Sequence, residues 1–328
     1  MPSSISAGVN RASSDAEIVD GNTMLASQLA DAIRADGRAI PVVFANTIKT
    51  LEPGIYGEAK AAAAALLAQA QAATGGSFAD VLLPHLFGEF GEPFYNSGVS
   101  TFAHLLATGG EPTIQVDSML ELLHAQDASA VLVDAATAGT NGQLRPAGRK
   151  ILVSEALALL TAQSERYIGA ATVPAFADHF EQQMFNMLRS QIVRAGNWTW
   201  PIVRHADPRG YFSELIRADG LGQSSVSSSV PGITRGDHYH VHKIERFLVF
   251  QGEARIRIRR LLTDEVHTFD VRGDTPVAID MPPLCTHNIT NIGDGEVLTF
   301  FWAADHFDPA NPDTYPELVE LPTTEVSA

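Results

Sequence analysis

Two rhythms of hydrophobic and polar positions divide the chain. From residue 15 to about residue 190, alanine- and leucine-rich stretches of helical period alternate with short apolar runs. The pattern predicts a helix over residues 20–36, a strand over 40–44, a helix over 57–73 and a strand over 78–83. Helix and strand taking turns argue for a parallel sheet wrapped by helices. After Asn197, short strands are divided by Gly, Pro and Asp. In Glu253-Ala-Arg-Ile-Arg-Ile-Arg259, small or apolar side chains alternate with arginines at a period of two, the pattern of a half-buried antiparallel strand. Residues 209–216 are strand-like too, whereas the serine-rich residues 220–232 read as a loop or an edge strand. The boundary falls near 192–199, which predicts one domain over residues 1–195 and a second over 196–328.

Composition narrows the class. A chain of 328 residues accommodates two domains with separate cores. With 22 basic against 38 acidic residues and no Lys/Arg run longer than Arg259-Arg260, nucleic acid is not an expected partner. Residues 1–8 have neither a basic start nor an apolar core, so no secretory signal is expected. The longest apolar stretch, residues 59–73, is too short and alanine-rich for a membrane span. A single cysteine, Cys285, excludes an intrachain disulfide and fits a reducing cytoplasm, the expected location. Its expected role is that of a small buried residue.

The chemistry concentrates in the second half. His238 and His240, at i and i+2, share one face of a strand; Glu245 can return from the next strand, and His287 comes from a Pro-bounded turn. Three imidazoles and one carboxylate make a zinc site, and the same donors accept iron or manganese. The competing reading is a solvated histidine face, which eleven histidines could produce by chance. His242 and His267 are assigned to the surface. Tyr239, His242 and Lys243 flank the ligands, and alternation sends the immediate neighbours of an inward histidine outward, so none is nominated as a base.

The spacing Gly232-x5-His238-x-His240-x4-Glu245-x6-Gly252, followed by Pro282-x4-His287-x3-Asn291, resembles the two-part cupin signature, with Leu284 where the second part usually has glycine. Asp207-Pro-Arg-Gly-Tyr-Phe-Ser-Glu214 and Gly232-Ile-Thr-Arg-Gly-Asp-His238 resemble stretches of cupin-fold nucleotide-sugar 3,5-epimerases. Residues 200–319, with the closing Trp302-Ala-Ala-Asp-His-Phe-Asp-Pro-Ala-Asn-Pro-Asp-Thr-Tyr315, resemble the C-terminal domain of bifunctional capsular-polysaccharide enzymes of the CapF type. That resemblance implies an α/β domain of the extended short-chain dehydrogenase (Rossmann) type followed by an all-β cupin barrel, or jelly roll. It implies C3 epimerisation of a UDP-linked 2-acetamido-4-keto-6-deoxyhexose on the path to UDP-N-acetyl-L-fucosamine, and NADPH-dependent reduction of the 4-keto group. It also implies zinc on His238, His240, Glu245 and His287, and a homodimer. Arg209, Glu214 and Arg235 become candidates for substrate binding, the arginines for diphosphate.

The resemblance continues into the first half. Ser6-Ala-Gly-Val-Asn-Arg11 is similar to the end of the fourth Rossmann strand, Val42-Val-Phe-Ala-Asn-Thr47 to the fifth, and Tyr56-Gly-Glu-Ala-Lys60 to the Y-x-x-x-K motif. Leu86-Phe-Gly88 and Phe94-Tyr-Asn-Ser97 match further landmarks, which makes Asn96 a substrate-binding candidate. Thr47, Tyr56 and Lys60 become the catalytic set. Tyr56 and Lys60 are one helical turn apart, so the ammonium is expected to lower the tyrosine pKa and the phenol to donate to a carbonyl. Leu82, His85 and Gln126 depart from the pattern. The fingerprint G-x-x-G-x-x-G, which brings backbone to the pyrophosphate, does not occur in the chain. The expectation is therefore an incomplete Rossmann-type domain that binds NADPH poorly, with an unfinished sheet edge that favours self-association. Full bifunctionality, a non-catalytic sugar-nucleotide binding protein and a cupin oxygenase are the other readings.

Overall fold

The computed structural model describes residues 4–6 and 14–321, with side chains from residue 14 onward. The chain divides into two compact units, Met1–Ser164 with Phe176–Trp198, and Glu165–Ala175 with Thr199–Ala328.

In the first unit, strand β1 (Ser4–Ser6) precedes helix α1 (Asp15–Asp36), strand β2 (Val42–Thr47), helix α2 (Ile55–Thr74) and strand β3 (Phe78–Leu83). Helix α1 starts earlier than hydrophobic period alone predicts, because Ser14 caps it and accepts the Glu17 N–H. Gly37 at φ 68° and Gly75 at φ 72° stop α1 and α2 in the left-handed conformation. Next come β4 (His85–Phe87), α3 (Gly98–Thr108), β5 (Met119–His124), α4 (Ala125–Ala138), β6 (Gly142–Leu144), β7 (Arg149–Leu152), α5 (Val153–Ser164) and α6 (His179–Arg194). Strands β1, β2, β3 and β6 form one parallel sheet in that order. Its two faces are read off β2. Val42 and Phe44 pack with Ala26, Ala30, Ala63 and Leu67 of α1 and α2, while Val43 packs with Ala128, Ala135 and Ala136 of α4. Burial on both faces explains the unbroken apolar run of this strand. A separate small sheet runs β4-β5-β7. Of the stretch compared with a fourth Rossmann strand, Ser6 closes β1 and residues 7–11 lie outside the described residues.

In the second unit, β8 (Thr172–Val173), from the segment Glu165–Ala175, pairs in parallel with β10 (Gly210–Ala218). The rest is antiparallel: β9 (His205–Asp207), β11 (Gly222–Ser229), β12 (Thr234–Tyr239), β13 (Glu245–Gln251), β14 (Glu253–Arg260), β15 (Val266–Arg272), β16 (Ala278–Met281), β17 (Cys285–Asn291), β18 (Val297–Ala303) and β19 (Tyr315–Pro316). One sheet has the order β16-β13-β18-β11-β10-β8, with β9 on β10; the other runs β15-β14-β17-β12-β19. Their inner faces share one core. Val249, Met281 and Val297 come from the first sheet, and Ala254, Ile256, Ile258 and Ile289 from the second.

The serine-rich stretch is neither a loop nor an edge. As β11 it lies between β10 and β18 and is buried almost throughout. Cross-strand register explains why its sequence carries no apolar alternation. Gln223, Ala303 and Glu245 stand abreast, as do Glu214, Ser225, Phe301 and Phe247. The odd-numbered residues of β11 therefore share an inward face with Glu245, Phe247 and Phe301, but they are themselves Gln223 and serines, so the strand shows no hydrophobic alternation.

Candidate metal centre and a second cluster in the first unit

Two paired strands and one neighbouring strand bring the four predicted ligands together. His238 of β12 stands directly opposite His287 of β17, beyond a bulge at Gly236. Gly236 has φ 103°, and a Cβ there would lie 2.6 Å from His287 O, so only glycine fits. His240 follows β12, and Glu245 opens β13. Potential ligand atoms of His238, His240, Glu245 and His287 all lie within 4.8 Å of one another. Glu245 Oε2 is 3.2 Å from His240 Nε2 and 3.4 Å from His287 Nε2.

The outer nitrogens fix the tautomers. His240 Nδ1 donates to Asp313 O at 2.5 Å, and His287 Nδ1 donates to Cys285 O at 3.3 Å. A neutral imidazole that donates through Nδ1 presents a lone pair at Nε2. The buried Nε2 atoms of His240 and His287 have no hydrogen-bond partner. Lone pairs facing a carboxylate oxygen repel one another unless a cation lies between them, so the residues present fit a bound metal. Burial, helped by the neighbouring His287 and His240, pushes His238 down to about 4, which keeps it a neutral ligand near pH 7. Burial opposes ionisation of Glu245, whereas positive charge on His240 and His287 outweighs it and holds the carboxyl below its usual range; a bound cation supplies that charge while the imidazoles stay neutral.

Two supporting residues carried no signal in the sequence pattern. Asp313 accepts the backbone N–H groups of Val241, His242 and Lys243 at 2.9, 3.0 and 2.9 Å. Burial works against its ionisation, but these donors bring its carboxyl to about 2. Lys243 does not point outward as strand alternation predicts. Strand β12 ends at Tyr239, and the turn that follows buries Lys243 while leaving His242 exposed. Tyr239 itself stacks on Tyr315 at 5.2 Å. His267 is exposed, and Cys285 is partly buried, with its thiol pKa raised by burial.

Two of the three substrate candidates of this unit, Arg209 and Arg235, lie around Asp207. Arg209 is exposed and pairs with Asp207 at 2.6 Å. Arg235 is more buried, donates to Ser229 Oγ and Ser228 O at 3.1 Å each, and lies 4.0 Å from Asp207. Glu214 pairs with Arg217 at 2.9 Å. A row of rings, Phe212, Phe301, Phe247 and His287, connects this strand to the metal-type cluster in steps of 5.6, 5.4 and 5.8 Å.

In the first unit, Thr47, Tyr56, Lys60 and Asn96 line one cavity of about 460 Å³. Thr47 closes β2, and its hydroxyl accepts the Lys49 N–H at 3.2 Å. Gly57 lets α2 approach the turn after β2, since a Cβ there would meet Lys49 O at 2.2 Å. Lys60 is buried, donates to Ala45 O at 2.8 Å and lies 4.0 Å over the Phe44 ring. Burial lowers its pKa to about 8. The expected depression of the Tyr56 pKa is not found. Burial raises it, and the Lys60 ammonium is committed to the strand. His85 lines the same cavity, Leu82 is buried in the core, and Gln126 is exposed. Among the described residues, no helix is long and apolar enough to cross a membrane.

Residues 205–315, which contain the His/Glu cluster, match the family described as Polysaccharide biosynthesis C-terminal domain. The chain is 30% identical over 316 residues, 94% of its length, to a UDP-2-acetamido-2,6-beta-L-arabino-hexul-4-ose reductase of Pseudomonas aeruginosa, covering 84% of that protein. The capsular polysaccharide assembling protein CapF of Staphylococcus aureus superposes with TM-score 0.84 and 31% identity, over 96% of this chain and 86% of that one. A spore coat polysaccharide biosynthesis protein of Bacillus subtilis, SpsL, is 26% identical over 122 residues, 34% of this chain and 81% of that protein. The chain belongs to the CapF family.

Proposed function

We propose that the chain is a nucleotide-sugar C3 epimerase acting on a UDP-linked 2-acetamido-4-keto-6-deoxyhexose in surface-polysaccharide biosynthesis, with zinc held by His238, His240, Glu245 and His287 in a cupin-type second unit. The observation that carries this reading is the pair of buried Nε2 atoms that face Glu245 Oε2 without a hydrogen-bond partner. A proton beside a ketone can be removed only if the developing enolate oxygen is stabilised. Zinc, when bound, supplies positive charge for that purpose.

The chain's own residues do the rest. Arg209 and Arg235, already drawn together by Asp207, can take phosphate oxygens in its place. Phe212, Phe301 and Phe247 keep water from the sugar ring, which strengthens electrostatic contacts inside the cleft. Moving a proton at C3 involves no hydride, so this activity does not need NADPH.

A second activity is favoured by one observation, the convergence of Thr47, Tyr56, Lys60 and Asn96 on a single cavity. There Thr47 and Tyr56 would hold and protonate a 4-keto oxygen, as the name of the Pseudomonas relative suggests. A nicotinamide titration tests this second activity, and no binding of NADPH overturns it.

The deciding experiment is deuterium uptake at C3 of the UDP-4-keto-6-deoxy-N-acetylhexosamine in heavy water without NADPH. Uptake by the wild type and its loss in the double variant His238→Ala, His240→Ala are expected. No uptake by a folded, zinc-loaded protein would move the assignment to a binding protein.

A further inference from the structure

Lys243 lies in the turn between β12 and β13 and is only 7% exposed. A buried ammonium persists where other groups compensate it. Its Nζ is 3.4 Å from Pro312 O and 3.9 Å from Glu245 Oε1. The other carboxylate oxygen, Oε2, faces His240 and His287. The two oxygens of one carboxylate thus have different neighbours, an ammonium on one side and two imidazoles on the other. The turn is also fixed on its backbone. Lys243 N–H donates to Asp313 Oδ2 at 2.9 Å, and Ile244 O accepts the Ala304 N–H at 2.9 Å. These bonds hold the main chain that carries Lys243 beside Glu245.

We propose that Lys243 is a positioning residue that makes Glu245 a one-oxygen metal ligand, its ammonium holding Oε1 back while Oε2 ligates. The inference rests on reading the four side chains as a metal centre. A carboxylate can ligate through one oxygen or both. Beside three imidazoles, the second oxygen would fill a position that a substrate oxygen otherwise takes. Lys243 therefore sets how open the site is, without touching substrate.

Cobalt-loaded protein reports this directly, because four-coordinate cobalt absorbs visible light far more strongly than five- or six-coordinate cobalt. Lys243→Met removes the charge at similar length, and Lys243→Gln keeps a donor for Pro312 O. Both variants are expected to bind one equivalent of cobalt with a weaker visible band. C3 exchange in the zinc-loaded variants should slow about 10- to 100-fold, in kcat more than in KM. A wild-type cobalt spectrum in either folded variant overturns the proposal. Infrared difference spectra of wild-type protein with and without zinc need no variant: carboxylate bands split as for two-oxygen ligation overturn it, and one-oxygen splitting supports it. If the wild type binds neither cobalt nor zinc, the metal reading itself fails, and this proposal with it. Metal bound with unchanged spectra removes only the role of Lys243.

Discussion

The backbone carbonyl of Asp313 accepts the Nδ1 proton of His240 at 2.5 Å, while the carboxylate of the same residue closes the turn that follows His240. One residue therefore sets both the tautomer of a ligand and the path of the chain behind it. Asp313 sits at φ 43°, a left-handed conformation that Asn and Asp tolerate better than most residues. Asp313→Asn keeps that tolerance and removes the charge, whereas Asp313→Ala removes both. Zinc affinity, measured by chelator competition, should fall about 10- to 100-fold in Asp313→Ala and by less in Asp313→Asn. Equal affinities for all three proteins would show that the turn holds itself.

Leu284 sits where the cupin signature usually has glycine, and the structure shows the consequence. Its φ is 60°, in the left-handed region, and its N–H donates to His240 O at 2.7 Å. A side chain in that conformation costs roughly 1–2 kcal/mol, partly offset because glycine frees the unfolded chain. Half of the leucine is solvent-exposed, so its removal sacrifices little packing. Leu284→Gly should stabilise the second unit by about 0.5–1 kcal/mol. Urea unfolding followed by a probe in that unit checks it.

Burial of Lys60 works against the first unit at neutral pH. Its folded pKa of about 8 lies below the ordinary lysine value, so between those values the unfolded chain binds more protons. Stability then rises with pH across that window, and the penalty is full below about pH 8. Lys60→Met keeps the apolar stem over Phe44 and removes the charge. It should stabilise the protein at pH 7 by on the order of 1–3 kcal/mol, with the advantage shrinking toward pH 10. An advantage that does not change with pH would mean that packing, not charge, separates the two proteins.

These residues also show what a sequence can and cannot disclose. His238, His240, Glu245 and His287 were legible because their spacing resembles the two-part cupin signature, and the structure brings their ligand atoms within 4.8 Å. Lys243 was misread because period-two reasoning stops where the strand stops, and β12 ends at Tyr239. Asp313 was invisible because its partners lie about seventy residues back along the chain. Strand β11 was missed because serine fills both its faces, so a strand that is buried almost throughout carries no hydrophobic alternation. In the first unit, spacing placed Tyr56 and Lys60 on one helical face. It could not show that the ammonium turns to Ala45 O.

His238 gives the pH dependence of the metal-free second unit. Burial first, then the neighbouring His287 and His240, brings its pKa to about 4, below the ordinary histidine value. Between about pH 4 and roughly 6.5 the unfolded chain binds the extra proton, so stability rises with pH there. The contribution is fully present above the unfolded value and is lost as the pH falls through the folded one. Replacing His238 by Asn removes the titrating group and keeps a polar side chain. In chelator-treated protein, the melting temperature of the wild type should fall relative to His238→Asn between pH 7 and pH 4. Zinc should widen the difference in favour of the wild type at pH 7 and lose that effect toward pH 4, because protons and metal compete for the same nitrogens. Parallel melting curves for the two proteins across this range, with and without zinc, would remove His238 from both roles.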